Sequence, residues 1–504
     1  MLLAAAGISA TGLIACSVLI DRSAKQCTSQ ADCTGKWANS TCSDHGICVF
    51  ATIPVGACLD AAPKEPDDFL NACTSSMCVH FDNCAHMLCD NPDAPSIPPD
   101  GGAPTADAGT TAAADAGTVQ LPSCANPTDR PNVIYITGSS NFPPLLTQLG
   151  PFIMKQTGYT PVYQITSSCN GVKSVFSSTA KDHLMTDPGP GAKTAGATYV
   201  TADGALVPCA LGAGGVTVDI GESDIFSSSC NGFDEPSGNV AQYYGPIQAM
   251  AFVVPSGSSQ VVISAEMARA VFGRGGDDGK GSPWTEPKLY FVRNANTGTQ
   301  QMIGRAIGVS ADQFWGVDRG TAASVASQMT GVDPALAENA IGIISTDYYD
   351  RSNGNLRELA FQASGQSCGY WPDSTRFVND KRNVRDGHYP IWGPLHFFTI
   401  TSNGLPVSLA AEKFVETVSV DDPGIELLDA YVDAGLVPSC AMKVQRKRDL
   451  GPPMPSPPGP QCGCYFENRL AHGVAPEGCQ PCTSPNECAD PALPACRLGF
   501  CEAG

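Results

Sequence analysis

The chain has 504 residues, with 23 cysteines, 52 glycines, 41 prolines and a formal net charge of −20 at pH 7. Its length allows about three domains, and its excess of 49 acidic over 29 basic side chains argues against a basic nucleic-acid-binding protein, because such a chain repels phosphate backbones. A count of 23 cysteines is unusual for a protein of the reducing cytosol. The composition therefore favours an exported, disulfide-bonded protein.

The first segment of the chain has the composition of an export signal. Met1 to Ala15 are apolar or small, and the segment ends in Leu13-Ile14-Ala15-Cys16. This ending resembles the lipobox of bacterial lipoproteins, which implies that Cys16 is lipidated and anchors the protein in the bacterial cell envelope. A positively charged start is missing, so a plain secretion signal or a short buried segment remain alternatives. The stretch is shorter than the roughly 20 apolar residues that a transmembrane helix needs.

Residues 17–91 form a cysteine-rich segment with nine cysteines. With Cys16 set aside, the chain holds 22 further cysteines, an even number that a full set of disulfides requires. Zinc is the alternative, because Cys84, His86 and Cys89 lie close together. Export favours disulfides, so we predict one or more disulfide modules and no metal site. Residues 92–123 have no aromatic side chain and repeat Asp-Ala-Gly, which predicts a flexible linker.

The region 124–450 has an ordinary globular composition and carries the functional motifs. Four apolar strands are predicted, each followed by a turn of small polar residues: 133–137, 160–165, 216–220 and 289–292. Amphipathic helices follow the turns, and Pro151 is expected to kink or end the first of them early. A strand, a small-residue turn and a helix together aim backbone N–H groups and a positive helix end at an anion.

These motifs resemble, in order, those of the phosphate-binding proteins of bacterial ABC importers, which have the type II periplasmic-binding-protein fold. The family motif TGAG-x-TFP corresponds to residues 137–143 (TGSSNFP), and GSSGGVK corresponds to residues 167–173 (SSCNGVK). The motif D-[FI]-G-[AG]-SD corresponds to residues 219–224 (DIGESD), and R-x-DGSGT corresponds to residues 293–299 (RNANTGT). The resemblance covers about residues 131–444.

The resemblance implies an α/β fold of two lobes, with lobe 1 at 131–243 and 396–444, lobe 2 at 244–395, and the ligand between them. The expected ligand is phosphate or a similar tetrahedral oxyanion, with no cofactor and no catalysis. Arg293 would contact ligand oxygens with its planar fork. Asp224 would accept the proton of hydrogen phosphate and disfavour sulfate, which has no such proton. The predicted ligand-binding residues are Asn141, Phe142, Ser167, Ser168, Asp224, Arg293, Thr297, Gly298 and Thr299.

Several residues depart from the family pattern. Ala295 stands where the family has an Asp that holds the arginine, and Asn141 and Asn170 replace Thr and Gly. The 45 residues between Lys173 and Asp219 form an insertion, which could cover the cleft, enlarge it or bind something else. Taken singly, Asp224 could also cap a helix and Arg293 could form a surface ion pair.

Six cysteines lie in or beside this region, at positions 124, 169, 209, 230, 368 and 440. Paired among themselves they allow 15 connectivities. A bond from Cys169 to Cys209 or Cys230 would stiffen the loop that carries the second motif. The sequence does not choose among these pairings.

The C-terminal part repeats the pattern of the N-terminal part. Residues 451–461 are a proline-rich linker, and residues 462–504 carry seven cysteines. Their spacing C-x5-C-x7-C-x4-C matches C-x5-C-x8-C-x5-C near the N-terminus, which indicates a duplicated disulfide module of the kind found on secreted proteins.

The resemblance to phosphate-binding proteins implies an ABC permease as partner. The lipobox-like ending implies membrane contact through the N-terminal lipid, and the acidic net charge predicts no nucleic-acid partner. The main alternative is a surface or adhesion protein that reuses the fold and contacts partners through its cysteine-rich modules. A hydrolase of phosphate esters is disfavoured, because the carboxylates are not clustered with histidines. His388 and His396 are predicted as hinge-region or surface histidines.

Overall fold

The structure is a computed structural model that describes residues 40–42, 48–50, 58–59, 63, 66–86, 88, 121–126, 128–188, 196–276, 280–457, 459–471, 473 and 478–503. The predicted signal peptide, the lipidation at Cys16, most of residues 17–57 and linker residues 92–120 lie outside these ranges. In the part of the chain that the structure describes, no helix combines the length and the apolar character needed to span a membrane.

The strands are numbered in chain order. Before the central region they are β1 (Ser40–Cys42), β2 (Cys48–Phe50) and β3 (Cys78–Val79). In the first half of the central region they are β4 (Val133–Gly138), β5 (Thr160–Ile165), β6 (Leu184–Met185), β7 (Ala197–Val200), β8 (Leu206–Cys209), β9 (Val216–Thr217), β10 (Ile220–Ser223) and β11 (Val240–Pro255). In the second half and beyond they are β12 (Val262–Ser264), β13 (Tyr290–Val292), β14 (Val317–Asp318), β15 (Ile341–Ser345), β16 (Leu356–Glu358), β17 (Ala360–Gln362), β18 (Gly369–Tyr370), β19 (Trp392–Ser402), β20 (Leu405–Pro406), β21 (Val444–Gln445), β22 (Met454–Pro455), β23 (Ala495–Arg497) and β24 (Phe500–Glu502).

The α-helices are numbered in the same way. They are α1 (Pro66–Asn71), α2 (Pro143–Thr157), α3 (Ser168–Phe176), α4 (Ala265–Arg274), α5 (Gly298–Ile307), α6 (Ala322–Thr330), α7 (Thr346–Asp350), α8 (Arg382–Asp386), α9 (Leu409–Val418), α10 (Ile425–Asp433) and α11 (Gly463–Leu470).

One mixed sheet runs through both lobes, in the order β14-β13-β15-β11-β19-β10-β4-β5-β7-β8. In lobe 1, β10, β4 and β5 are parallel neighbours. In lobe 2, β13 is parallel to both β14 and β15. Because the carboxyl ends of parallel strands meet at one edge of a sheet, the loops after these strands converge from each lobe.

Two long antiparallel strands, β11 and β19, join the lobes. They pair from Val240 opposite Ile400 to Ala249 opposite Trp392, with a shift of register between Tyr244 and Ile247. Such an irregularity bends the strands locally, and here it lies where the chain passes from lobe 1 to lobe 2. The two-lobed α/β fold joined by crossing strands, predicted from the sequence, is confirmed.

Helix α2 shows how tertiary packing overrides a local breaker. Pro151 was expected to end or kink this helix early, but the helix continues to Thr157. The expectation of an early end is wrong because Leu145, Leu146 and Ile153 bury one face against the lobe 1 core. Each such side chain contributes about 1.5–3 kcal/mol, which offsets the missing backbone hydrogen bond at the proline.

The insertion after Lys173 extends the sheet of lobe 1. In its described residues, 174–188 and 196–218, β7 pairs antiparallel with β5, and β8 pairs with β7. A disulfide between Cys124 and Cys209 fastens this edge. The predicted third strand is shifted: 216–217 pair with β6, while the strand of the main sheet begins at Ile220.

The second half of the N-terminal cysteine-rich segment packs on lobe 2. Strand β3 pairs with β18, and the disulfide Cys78–Cys368 fixes this edge. Phe69 and Phe81 are buried in the same core as lobe 2. Within the described residues this part of the segment is therefore an integral layer of the lobe rather than a separate unit.

The C-terminal cysteine-rich segment is also fastened to the central region. Cys440 pairs with Cys462, and β22 in the proline-rich linker pairs with β21. Three further disulfides lie inside the segment: Cys464–Cys479, Cys482–Cys496 and Cys488–Cys501. Both ends contain a hairpin in which two cysteines are register partners, Cys42 opposite Cys48 and Cys496 opposite Cys501.

Candidate functional site

The candidate site is built from the loops that follow parallel strands of the two lobes. From lobe 1 come residues 139–141 after β4, Ser168 after β5 and Asp224 after β10. From lobe 2 come Arg293 after β13 and the first turn of α5. Helices α2, α3 and α5 begin at these loops, so the positive ends of three helices face one region.

Asp224 is the centre of the lobe 1 half of the site, and none of its surface is exposed. Its Oδ2 accepts hydrogen bonds from Ser139 Oγ at 2.5 Å, from Asn141 Nδ2 at 2.9 Å and from Ser168 Oγ at 3.1 Å. Its Oδ1 has no hydrogen-bond partner among the described residues. Asp224 therefore organises three donors around one oxygen and keeps a second oxygen available as an acceptor.

Arg293 is the centre of the lobe 2 half and is 3% exposed. Its Nε donates to Gly320 O at 2.5 Å, and its Nη2 donates across the cleft to Ser140 Oγ at 2.7 Å. These contacts hold the guanidinium although Ala295, two residues further along the chain, offers no carboxylate. Its Nη1 is buried and has no partner in the described part of the chain, so one arm of the fork remains free to bind an anion.

Several hydrogen bonds cross the cleft and bring the lobes together. Gly298 N donates to Ser168 Oγ at 3.0 Å, and Asn141 Nδ2 donates to Thr299 Oγ1 at 3.0 Å. The approach is close because Gly298 has no side chain: a Cβ there would lie 2.6 Å from Ser168 Oγ and 2.8 Å from Asp224 Oδ2. A glycine is therefore required at this position for the lobes to close.

Burial dominates the electrostatics of the site. It raises the pKa of Asp224, although the hydrogen bonds from Ser139, Ser168 and Asn141 and the charge of Arg293 oppose this shift. Burial also lowers the pKa of Arg293 to about 10 and raises that of Asp347 to about 6. Arg293 remains charged at neutral pH, so the site presents a cation beside a carboxyl group that protonates more readily than usual.

The structure separates the predicted site residues into two groups. Asn141, Ser168, Asp224, Arg293, Gly298 and Thr299 converge on the cleft. The others serve the local structure. Ser167 Oγ caps α3 by accepting from Asn170 N, Thr297 Oγ1 donates to Asn294 O at 2.8 Å, and Phe142 packs in the lobe 1 core while its N–H bonds to Ser139 O.

Sequence reasoning missed five residues at the site. Ser139 and Ser140 stand in the quoted TGSSNFP motif, and their hydroxyls gave a signal that could have been used. Tyr348 donates to Ser140 O at 3.2 Å and lies in α7, which begins directly after β15. Glu222 and Tyr163 lie inside strands, and only their three-dimensional contacts show that they support the site.

A disulfide staples two of the lobe 1 loops. Cys169, which follows Ser168, pairs with Cys230, which lies six residues beyond Asp224. The sequence left Cys209 and Cys230 open as partners of Cys169, and the structure selects Cys230. The bond therefore joins the segment that carries Ser168, a donor to Asp224, to the loop that follows Asp224.

His396 is buried at the crossing of the lobes. Its ring lies 4.4 Å from that of Phe226, 5.4 Å from that of Tyr244 and 5.8 Å from that of Phe398 between centroids. Neither ring nitrogen has a partner among the described residues, and burial lowers its pKa to about 3. The prediction of a hinge-region position fits His396, whereas a surface position is wrong for both histidines, because His388 is buried too.

Solved structures similar to this chain include binding proteins. A phosphate ABC transporter substrate-binding protein from Clostridium perfringens with bound phosphate is 12% identical, with a TM-score of 0.41, over 61% of this chain and 99% of that one. An ABC-type phosphate transport receptor from Vibrio cholerae is 13% identical, with a TM-score of 0.38, over 60% of this chain and 99% of that one. A periplasmic molybdate-binding protein from Azotobacter vinelandii is 15% identical, with a TM-score of 0.30, over 60% of this chain and 98% of that one.

No model of a protein family matches the chain, and no curated protein matches it.

Proposed function

We propose that this chain is an exported binding protein that captures phosphate, or a similar tetrahedral oxyanion, between its two lobes. The observation that carries the proposal is the meeting of Asp224 and Arg293. They come from different lobes, both are buried, and each keeps one polar atom without a partner among the described residues. Buried polar atoms without partners are costly, and a ligand with both acceptor oxygens and a proton would satisfy both.

Recognition by this site depends mainly on hydrogen bonds. The donors left for a ligand are the hydroxyl of Thr299 and the free arm of Arg293. The hydroxyls of Ser139 and Ser168 and the amide of Asn141 donate to Asp224 Oδ2 and hold this carboxyl group in place. Asp224 accepts the proton of a protonated oxyanion. A carboxyl acceptor at this place disfavours sulfate, because a fully ionised anion would face an uncompensated buried charge.

Export is supported by the disulfides. The eight bonds between described residues, together with the disulfide-bonded Cys84, are typical of an oxidising compartment. We extend the proposal to a lipid anchor at Cys16 and delivery of the oxyanion to an ABC permease. Capture requires no catalysis.

The test is calorimetric titration of phosphate and sulfate into the full chain and its variants. Arg293→Ala should weaken phosphate binding at least about thirtyfold, because removing one partner of a buried charged contact costs about 2–5 kcal/mol. Arg357→Ala is the matched control, because Arg357 donates to Ser256 O on the surface of lobe 2. Asp224→Asn should reduce the preference for phosphate over sulfate at least about tenfold. Unchanged selectivity in that variant would contradict the role of Asp224.

A second candidate is a surface protein that reuses the fold, and one observation favours it. Helix α11 of the C-terminal segment contacts both lobes: Glu467 accepts from Arg385 of lobe 2 at 2.5 Å, and Arg469 pairs with Asp429 and Asp433 of lobe 1 at 3.0 and 2.8 Å. A segment that bridges the lobes restrains their opening. The test applies if the natural protein does not bind phosphate. If Arg469→Ala and Glu467→Ala, which remove the bridge between the lobes, do not restore binding, this second candidate is favoured over capture.

A further inference from the structure

A second cavity lies beside the start of β19, apart from the residues assigned to oxyanion capture. One wall is the strap, defined here as residues 446–453, which connects β21 to β22. The cavity has a volume of about 230 Å³. Arg446 is the only charged residue in its wall among those that the structure describes, and the large apolar residues of the wall are Leu70, Pro390, Leu450, Pro452 and Pro453. The cavity is thus an apolar pocket around one cation.

Arg446 is held in this wall by one part of its guanidinium group. The residue is 8% exposed, and its Cζ lies 3.8 Å from the centroid of the Trp392 ring. Its Nη1 donates to Pro390 O at 2.9 Å and to Trp392 O at 3.3 Å. Its Nε is buried and has no partner among the described residues, and its Nη2 donates to none of them. The parallel N–H groups of Nε and Nη2 form the edge of the fork that can bind both oxygens of one carboxylate.

Asp449, in the same strap, does not satisfy this edge. Its Oδ2 accepts from Phe226 N at 3.0 Å and from Ser229 Oγ at 2.6 Å. Its Oδ1 has no partner in the described part of the chain. Neither oxygen of Asp449 is therefore bonded to Arg446, and a buried guanidinium edge without a partner is costly.

The charges around the strap leave one positive charge uncompensated. Burial raises the pKa of Asp449 to about 6, although its hydrogen bonds from Ser229 and Phe226 and the charges of Arg305 and Arg446 oppose this shift. Burial lowers the pKa of Arg446 to about 9, so the guanidinium is still charged at neutral pH. One carboxylate thus faces two guanidinium groups, and a single further anion would balance them.

We propose that this cavity is a second binding site, which takes a small monocarboxylate with an apolar body. Nε and Nη2 of Arg446 bind the carboxylate, and the proline and leucine side chains of the wall cover the body of the ligand. A cavity of about 150 Å³ holds benzene, so this larger cavity admits a ligand of the size of benzoate. A small oxyanion such as phosphate would leave the apolar wall uncovered. The inference does not rest on the proposed function, because the two sites share no residue.

The test is calorimetric titration of benzoate into the full chain, with benzamide and acetate as comparison ligands. Benzamide keeps the ring but lacks the charge, and acetate keeps the charge but lacks the ring. The variant is Arg446→Lys, because lysine keeps the positive charge but cannot form two parallel hydrogen bonds to one carboxylate. Arg448→Lys is the matched control, because Arg448 is an exposed residue of the same strap that does not line the cavity.

The natural protein and Arg448→Lys should each bind one benzoate per chain, and benzamide and acetate should bind to them at least about tenfold more weakly. Arg446→Lys should weaken benzoate binding at least about tenfold, because a charged bidentate contact is lost. If Arg446→Lys does not fold, Leu70→Trp decides: the larger side chain on α1 fills the cavity and should abolish benzoate binding although Arg446 is unchanged. Undiminished binding in Leu70→Trp would overturn the proposal.

The outcomes also distinguish this site from the oxyanion cleft. Benzoate binding that persists in Arg293→Ala supports the proposal, whereas its loss in that variant would place benzoate in the cleft and overturn the proposal. Equal affinity for benzoate and benzamide, equal benzoate affinity in Arg446→Lys and Arg448→Lys, or no saturable binding at up to about 10 mM benzoate overturns it as well. Failure to bind benzoate leaves phosphate capture standing, and failure to bind phosphate leaves this second site standing.

Discussion

Removing the Cys169–Cys230 disulfide should weaken oxyanion binding by more than its effect on stability explains. This bond ties the residue after Ser168 to the loop that follows Asp224, and the Ser168 hydroxyl lies 3.1 Å from Asp224 Oδ2. The perturbation is the double substitution Cys169→Ala and Cys230→Ala in the full chain. The control is Cys124→Ala with Cys209→Ala, which frees a sheet edge outside the site.

The two bonds should contribute almost equally to stability. They close chain segments of 61 and 85 residues, for which the loop-entropy relation gives about 4 kcal/mol each. Their effects on binding should differ. Loss of the Cys169–Cys230 bond frees the side chains of Ser168 and Asp224. Ordering each of them again on binding costs about 0.5–1.5 kcal/mol, which together corresponds to a decrease in phosphate affinity of about tenfold.

Urea unfolding and phosphate titration on the same samples separate these effects. Both variants should lose similar free energy of unfolding, and only the Cys169–Cys230 variant should bind phosphate more weakly. Equal affinity in the two variants would refute the idea that this disulfide orders the site. Equal weakening in both would show that binding follows overall stability instead.

Two further predictions concern closure and pH. Gly298→Ala should weaken phosphate binding at least about tenfold, because the added Cβ would lie 2.7 Å from Asp224 Cβ and keep the lobes apart. The control is Gly214→Ala, because a Cβ at Gly214 would have no atom within 4 Å. Equal phosphate affinity in both variants would contradict the closed geometry. His396 has its pKa lowered to about 3 from 6.5, so the unfolded chain takes up a proton first and stability is lost as pH falls from 6.5 toward 3. His396→Phe should therefore retain more of its pH 7 stability at pH 4 in urea unfolding, and an unchanged pH profile would exclude His396 as the cause.

The strands and the loops that follow them could be predicted because each depends on local sequence. The run at 160–165 forms β5 as predicted, and the small-polar turns after β4, β5 and β13 do face the cleft. Asp224 and Arg293 could be identified only because residues 219–224 and 293–299 resemble motifs of the phosphate-binding proteins, since each residue taken singly also fits a helix cap or a surface ion pair. The strands and turns need only the periodicity of the chain and the direction of parallel strands.

Other features depend on contacts between distant segments. Pro151 does not end α2, because the packing of the helix outweighs one lost hydrogen bond. Thr297 lies in the right motif, but its hydroxyl bonds to its own turn. Tyr348 reaches the site from α7, which no motif marks. The partners of Cys368 and Cys440 lie in the flanking cysteine-rich segments. No local pattern could have predicted these contacts.

The most direct test of the capture function is a single titration. Phosphate is added to the full chain after bound anions have been removed by unfolding with the disulfides intact, followed by refolding. The proposal predicts saturable binding of one phosphate per chain, lost in Arg293→Ala and kept in Arg357→Ala. Absence of binding to the refolded natural protein, with its unfolding transition intact, would contradict the proposal that the cleft between the lobes captures an oxyanion.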